Sequence, residues 1–263
     1  HNCYRIVSSG HKVSGNLEVL DFDNVDVYKN FRALAKNCGL GDLVTKIELG
    51  YSEFSPNGAH WLYKCDKISG NTKLANDSKK NTLIETRGEG GYVVTAPTFG
   101  DVNADGPYVL KNGGFSTIET ITPDERKALH DLARSFDEKI KIDSNYSSVN
   151  NRRPGDDFIA QSTWDEILIT YGWTKVFTKG DATYWRRPGK KIGVSATTNF
   201  NGSGWLSVFS TATCFENEKG YNKFSAHAVL NHAGDFSAAA KSLAAKGFGS
   251  QKNKSEDNKG LLP

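Results

Sequence analysis

The chain has 263 residues, enough for one large domain or two ordinary ones with real cores. Its 33 basic and 30 acidic residues nearly cancel, so there is no global basic field and a polyanion must be gripped by local clusters. No apolar stretch approaches the ~20 residues that span a bilayer. Cys3, Cys38, Cys65 and Cys214 lack C-x-x-C spacing, which argues against structural zinc and for a reducing, cytoplasmic setting.

In chain order, "CYRIVSSG" and "NLEVLDFD" read as two short strands joined by a tight turn at "HKVSG". The chain opens at His1 almost directly in the first of them, and an upstream segment is expected to be missing. From Val25 to Cys38, apolar residues at Val27, Phe31, Leu34 and Ala35 recur with a helical period, and Gly39 closes the helix. "LVTKIEL" and "AHWLYKC" read as strands, and "TLIETRG" with "GYVVTAPT" as a strand pair around a glycine cluster. "ITPDERKALHDLARSFDE" is a helix with Thr122 as N-cap, Pro123 at the first helical position and acids in the first turn.

Residues 139–155 read as a polar linker. A small mixed α/β unit comes next over 156–249: a helix in "TWDEILITYGW", four short strands from "TKVFTKG" to "WLSVFSTA", then helices in "YNKFSAHAVLNHAG" and "DFSAAAKSLAAKGF". Residues 250–263 are charged and polar and are expected to be disordered.

Chemistry concentrates before residue 90. Alternation along a strand puts Asp21 and Asp23 on one face. Two such carboxylates are either solvated at the strand end or drawn together by a hard cation. Glu85 and Arg87 likewise share a face, beside Gly88, Gly90 and Gly91, which permit close approach of backbone or ligand. In "SPNGAHWLYKC" a tight turn delivers His60 to a strand start, where an imidazole can meet a phosphate or serve as an ordinary strand-end residue. In the second unit, Trp164, Trp173, Trp185 and Trp205 accompany Arg186, Arg187, Lys190 and Lys191. This mix suits either core packing or a single-strand stacking surface.

A D-x-D strand end, a small-residue turn leading to histidine, then the acid in "IETRGEGGYVV" resembles the catalytic core of the archaeo-eukaryotic primase superfamily. It is most similar to the bifunctional primase-polymerase domains of phages, plasmids and integrated elements. "VSGNLEVLDFD", "SPNGAHWLYKC", "GNTKLA" and "TLIETRGEGGYVVTAPT" fit in that order, and the later segments resemble the region after the catalytic domain in actinobacterial and actinophage members. The resemblance implies an α+β core over 1–138 with an RRM-like antiparallel sheet. It also implies template-directed primer synthesis and extension from nucleoside triphosphates with Mg²⁺ or Mn²⁺, on single-stranded DNA and with a replicative helicase as partner.

By the same resemblance, Asp21, Asp23 and Glu85 would hold the metals, and His60 the nucleotide phosphates. Arg87 would act as a phosphate clamp or pair with an acid, and Lys73 would meet phosphate or template, or stand as a solvated loop lysine. Arg186 and Arg187 are the expected DNA contacts of the second unit. Two rival expectations are a non-catalytic single-strand-binding module and a metal-dependent nuclease using the same carboxylates.

Overall fold

The computed structural model describes residues 5–99, 106–138, 141–142, 153–217 and 219–249. The expected tail at 250–263 and most of the linker at 139–155 lie outside the described residues, as does Cys3.

The first half comprises β1 (Ile6–Ser8), α1 (His11–Ser14), β2 (Leu17–Phe22), α2 (Val25–Asn37), α3 (Gly41–Gly50), β3 (Tyr51–Phe54), β4 (Ala59–Lys64), β5 (Thr72–Asn76), β6 (Thr82–Arg87), β7 (Tyr92–Val94), β8 (Val109–Gly113) and α4 (Pro123–Arg134). Six of the strands form a sheet in the order β5-β6-β2-β4-β3-β8, every neighbouring pair antiparallel. The α+β class and the antiparallel sheet expected from the sequence are therefore present.

Alternation decides which face of this sheet is covered. Leu20 and Phe22 of β2 point to the side where α2 and α4 pack, joining Trp61, Tyr63 and Ile84 from the flanking strands. The Phe22 ring meets Tyr28, Phe31 and Trp61 edge-on at centroid distances of 5.5, 5.2 and 5.0 Å, a geometry aromatic quadrupoles favour. Leu17 and Val19 point to the other side, into a smaller cluster with Tyr51, Leu62 and Val93. That face continues beyond Val19 into Asp21.

Three local expectations are corrected. "LVTKIEL" lies within helix α3, because Leu43, Val44 and Ile47 recur at helical spacing and bury in the main core, which outweighs the β preference of Val, Thr and Ile. "TLIETRG" and "GYVVTAPT" do not pair with each other: β6 joins β2 and β5, whereas β7 pairs with β1. The glycines between them turn the chain away, Gly90 adopting φ +75° and Gly88 lying so close to the Ser69 carbonyl that a Cβ would sit 1.9 Å from its oxygen. In the same way "CYRIVSSG" meets β2 only through an isolated bridge between Gly10 and Leu17.

The second half contains β9 (Lys141–Ile142), α5 (Pro154–Gln161), α6 (Trp164–Ile169), β10 (Thr174–Lys179), β11 (Ala182–Arg186), β12 (Ala196–Thr198), β13 (Leu206–Val208), β14 (Lys219–Tyr221), α7 (Lys223–His232) and α8 (Phe236–Ala245). Its sheet runs β10-β11-β12-β13-β14-β9, antiparallel except for the β14–β9 pair. One face carries Trp185, Ala196, Leu206 and Val208 into a core with Trp164, Leu168 and Trp173. The other face carries Ala182 and Tyr184 into the same cluster as α2 and α4. Polar contacts reinforce that joint. Arg186 donates to the carbonyls of Gly193 and Cys38 at 2.8 and 3.3 Å, and Lys190 donates to the fully buried Asp131 at 2.7 Å. Among the described residues no helix is long and apolar enough to cross a membrane.

Candidate active site

Four cross-strand pairs align one row of polar residues across the first sheet. Lys73 on β5 faces Glu85 on β6, and Glu85 faces Asp21 on β2. Asp21 faces His60 on β4, and His60 faces Glu53 on β3. Directly opposed residues project from the same face, so residues far apart in sequence form one line. Asp23 continues the line of Asp21 past the end of β2, and Arg87 lies two positions beyond Glu85.

Close backbone approach makes this possible. Gly58 in the "SPNG" turn presses on β2, where a Cβ would stand 1.6 Å from the Phe22 carbonyl oxygen. Only glycine lets the turn before His60 reach the acidic strand end. Immediately after Asp23, the Asn24 side chain accepts from the backbone N–H groups of Asp26 and Val27 and starts α2. The acidic pair is thus held between a buried strand and a capped helix.

His60 is buried, and both ring nitrogens are engaged by carboxylates. Nδ1 lies 2.7 Å from Glu53 Oε1, and Nε2 lies 3.2 Å from Asp21 Oδ1. Burial alone would favour the neutral ring, but the hydrogen bonds and charges of Asp21 and Glu53 prevail and raise its pKa to about 10. Glu53 is itself 1% exposed and fully committed, its Oε2 accepting from the Tyr51 hydroxyl and the Ala96 N–H, both at 2.8 Å. Residue types and spacing alone do not single out Glu53. Its signal is its register: once Tyr51–Phe54 is a strand, a hairpin closing on Phe54 and Ala59 must oppose Glu53 to His60. In Glu53→Gln the acceptor remains but its charge is gone. The His60 titration, followed by NMR, is expected to move down by about a unit or more, whereas an unmoved titration would deny Glu53 this role.

The acids are less balanced. Glu85 forms an ion pair with Arg87, yet burial still raises its pKa, aided by Asp21 and opposed by Arg87 and Lys73. Asp23 is exposed but crowded, and desolvation with repulsion from Asp21 and Glu85 lifts its carboxyl to about 6. A carboxyl that ionises near 3.8 unfolded and about 6 folded holds its proton longer in the folded state. Stability therefore falls as pH rises through that window. In metal-free buffer Asp23→Asn is expected to raise the thermal midpoint at pH 7 to 8, with the gain shrinking toward pH 4. An equal shift at both ends would contradict the repulsion.

Asp21, Asp23 and Glu85 are hard oxygen donors, and with Glu53 the row sets four carboxyl groups against the three cations His60, Arg87 and Lys73, which fits Mg²⁺ or Mn²⁺ in type and charge. Among the described residues no three acidic, histidine or cysteine side chains close around a common point. Arg87 and His60 hold two of the acids instead.

The segment that carries this acidic row matches a known family. Residues 5–124 match the family described as bifunctional DNA primase/polymerase, N-terminal. This segment is similar to a Prim-Pol domain. The match begins just before β1, spans the whole acidic row and ends two residues into α4. Among curated proteins, none matches the chain. The match supports a DNA primase/polymerase function in general, that of a nucleotidyltransferase that binds DNA and nucleotides.

The remaining expected site residues lie elsewhere or at the rim. Lys73 is exposed on β5, an edge strand that the local sequence pattern does not announce. Arg186 and Arg187 belong to the second sheet and the turn after its strand β11. Arg186 is tied to backbone carbonyls as described, and Arg187 donates to the Pro188 carbonyl at 2.9 Å while its buried Nε has no partner among the described residues. Trp164, Trp173 and Trp185 pack in the second core, and Trp205 stays half-buried.

Proposed function

We propose that the protein synthesises and extends primers on a single-stranded DNA template by metal-dependent nucleotidyl transfer, with Asp21, Asp23 and Glu85 as the cation-binding acids. The observation that supports this best is the row Glu85–Asp21–His60–Glu53 inside the segment similar to a Prim-Pol domain, with Asp23 crowded against its acidic end. A bound divalent cation would supply Lewis-acid stabilisation of charge on the phosphoryl oxygens.

The chain's own residues do the remaining work. His60, fixed by Glu53 behind it, presents a cationic N–H from Nε2, and exchanging its Asp21 contact for a triphosphate oxygen requires only a change of partner. Arg87 is poised for the same exchange from Glu85. Both donors are preorganised on strands, so they need little rearrangement as charge develops. The buried Leu17, Val19 and Leu62 beside the row on the same face limit water access from that side. Lys73, at the open edge, suits a phosphate of the template or nucleotide.

The setting implied by the resemblance is replication of a phage, plasmid or integrated element with a replicative helicase. The free, buried thiols of Cys38 and Cys65 suit a reducing cytoplasm.

The test is a primer-extension gel with a labelled primer on single-stranded DNA, in Mg²⁺, Mn²⁺ or EDTA. The expected result is longer product with either metal and none in EDTA. Shortening of the strands would instead identify a nuclease, and binding without any synthesis would identify a non-catalytic module.

A further inference from the structure

A second feature lies on the same sheet face as the acidic row, nearer the start of β2. There Arg5, Ser14, Leu17, Lys64, Phe115 and Ile118 help to line a cavity of about 310 Å³. Lys64 directly opposes Leu17 across the β2–β4 ladder, and Leu17 shares its face with Asp21 four residues on. At ~3.3 Å per strand residue, the cavity stands about 13 Å from the acids. Val19 and Leu62 lie between.

The charged residues that line this cavity are both cations, and neither has a carboxylate partner among the described residues. The half-buried Lys64 is bonded through its backbone alone, so its ammonium meets no acceptor there. Glu119, next to Ile118 in sequence, pairs with Lys46 at 3.9 Å instead. The Arg5 guanidinium lies over the Phe115 ring at 5.0 Å, and its Nη1 donates to the Ala96 carbonyl at 3.4 Å. The Arg5 backbone N–H donates to Thr98 Oγ1 at 3.0 Å. This cation is therefore positioned in advance, with most of its N–H donors still unused.

The charge selects the occupant. The whole chain carries only +3, so two cations gathered from residues 5 and 64 without an acid form a local excess. A fixed guanidinium fork beside a partnerless ammonium suits phosphate oxygens, which take directed bonds from the one and charge from the other. The DNA binding that the family match supports favours a phosphodiester over an acidic peptide. A few nucleotides cover the distance to the acidic row, so one strand can reach both.

We propose that Arg5 and Lys64 grip backbone phosphates of the single-stranded DNA template and so position it on the sheet that carries the acids. The contact is independent of a bound cation, and it rests on the synthetic reading only for the identity of the polymer. Phosphate contacts position a strand without reading its bases, so sequence preference is weak and salt dependence strong.

The test is fluorescence anisotropy of a short labelled oligo-dT titrated with the full chain in EDTA, over a series of salt concentrations. Arg5→Gln and Lys64→Gln are each expected to weaken binding roughly fivefold at low salt. Each is also expected to reduce the slope of log affinity against log salt by about 0.7. Lys64→Arg keeps the charge and is expected to bind like wild type. Wild-type affinity and slope in both Gln variants overturn the proposal, whether or not their KM for nucleotide rises. An equal loss in Lys241→Gln, an exposed lysine of α8, also overturns it, because the attraction would then be diffuse. So does displacement of the oligonucleotide by poly-glutamate as readily as by unlabelled oligo-dT, which would identify a face for acidic peptide. If wild type binds through Arg5 and Lys64 but never synthesises, the synthetic reading alone fails. If it synthesises while both Gln variants bind normally, this proposal alone fails.

Discussion

Asp21→Asn is expected to reduce nucleotide incorporation by roughly 10³-fold or more, equivalent to about 4 kcal/mol of transition-state stabilisation. The substitution keeps the shape of the side chain and removes one charge and one hard donor from the centre of the row. It also weakens one of the two carboxylate contacts that hold His60, so both cation and phosphate handling suffer. Loss of fold would produce the same kinetic result, and the thermal midpoint separates the two. Asp21 contributes to the repulsion that lifts Asp23 to about 6 but also to the contact that raises the buried His60 to about 10, so removing its charge relieves one and weakens the other. The midpoint at pH 7 is expected to stay near that of wild type. Full activity in Asp21→Asn would remove the carboxylate row from the mechanism.

The largest stability effect lies on the opposite face of the same strand. Glu18 is fully buried and accepts from Arg126 Nε and Nη2, both at 2.6 Å, and from the Tyr63 hydroxyl at 2.7 Å. His130 Nε2 lies 3.4 Å away. Burial pulls the Glu18 pKa upward, but the bonds from His130 and Arg126 prevail and hold it at about 2. Arg126→Met strands that carboxylate and is expected to cost about 3–5 kcal/mol in urea unfolding at pH 7.

The pH dependence fixes the cause. A carboxyl depressed from 4.5 to about 2 contributes stability above 4.5 that is lost as pH falls through 2. In Arg126→Met that depression is largely gone, so the deficit is greatest at neutral pH and narrows as pH falls below about 4.5. Glu18→Met combined with Arg126→Met is expected to recover much of the loss, because the penalty comes from the unpaired charge. A cost under about 1 kcal/mol in the single variant would show that the pair is not what pins α4 to β2. Since Glu18 precedes Asp21 by three residues, this network also sets the strand that carries the active-site acids.

Much of the site is readable from residue types and alternation. "DFD" declares two acids on one face, and "SPNGAH" declares a tight turn delivering a histidine. Helix α4 is legible through its capping box, in which Thr122 accepts from the Glu125 N–H and Glu125 answers to the Thr122 N–H. What sequence does not reveal is which strands become neighbours. Glu53 is invisible as a partner of His60 until β3 is placed, and β3 is obscured because α3 carries Val44, Thr45 and Ile47 and looks extended. Lys73 joins the row only because β5 pairs with β6 through a bulged register, and "GNTKLA" has too little apolar content to announce a strand. Arg186 reads as a surface cation, but its guanidinium closes a joint between halves that local patterns cannot foresee. Long-range packing decides such cases after local propensity has spoken.

If Asp21, Asp23 and Glu85 together hold a divalent cation for phosphoryl chemistry, that cation can be counted directly. The measurement is Mn²⁺ binding by the full chain in the presence of a nucleoside triphosphate, followed through the free-ion EPR signal and compared with Asp21→Asn and with nucleotide alone. Protein-dependent Mn²⁺ uptake that Asp21→Asn abolishes is the expected result. Equal uptake by wild type and Asp21→Asn would contradict it.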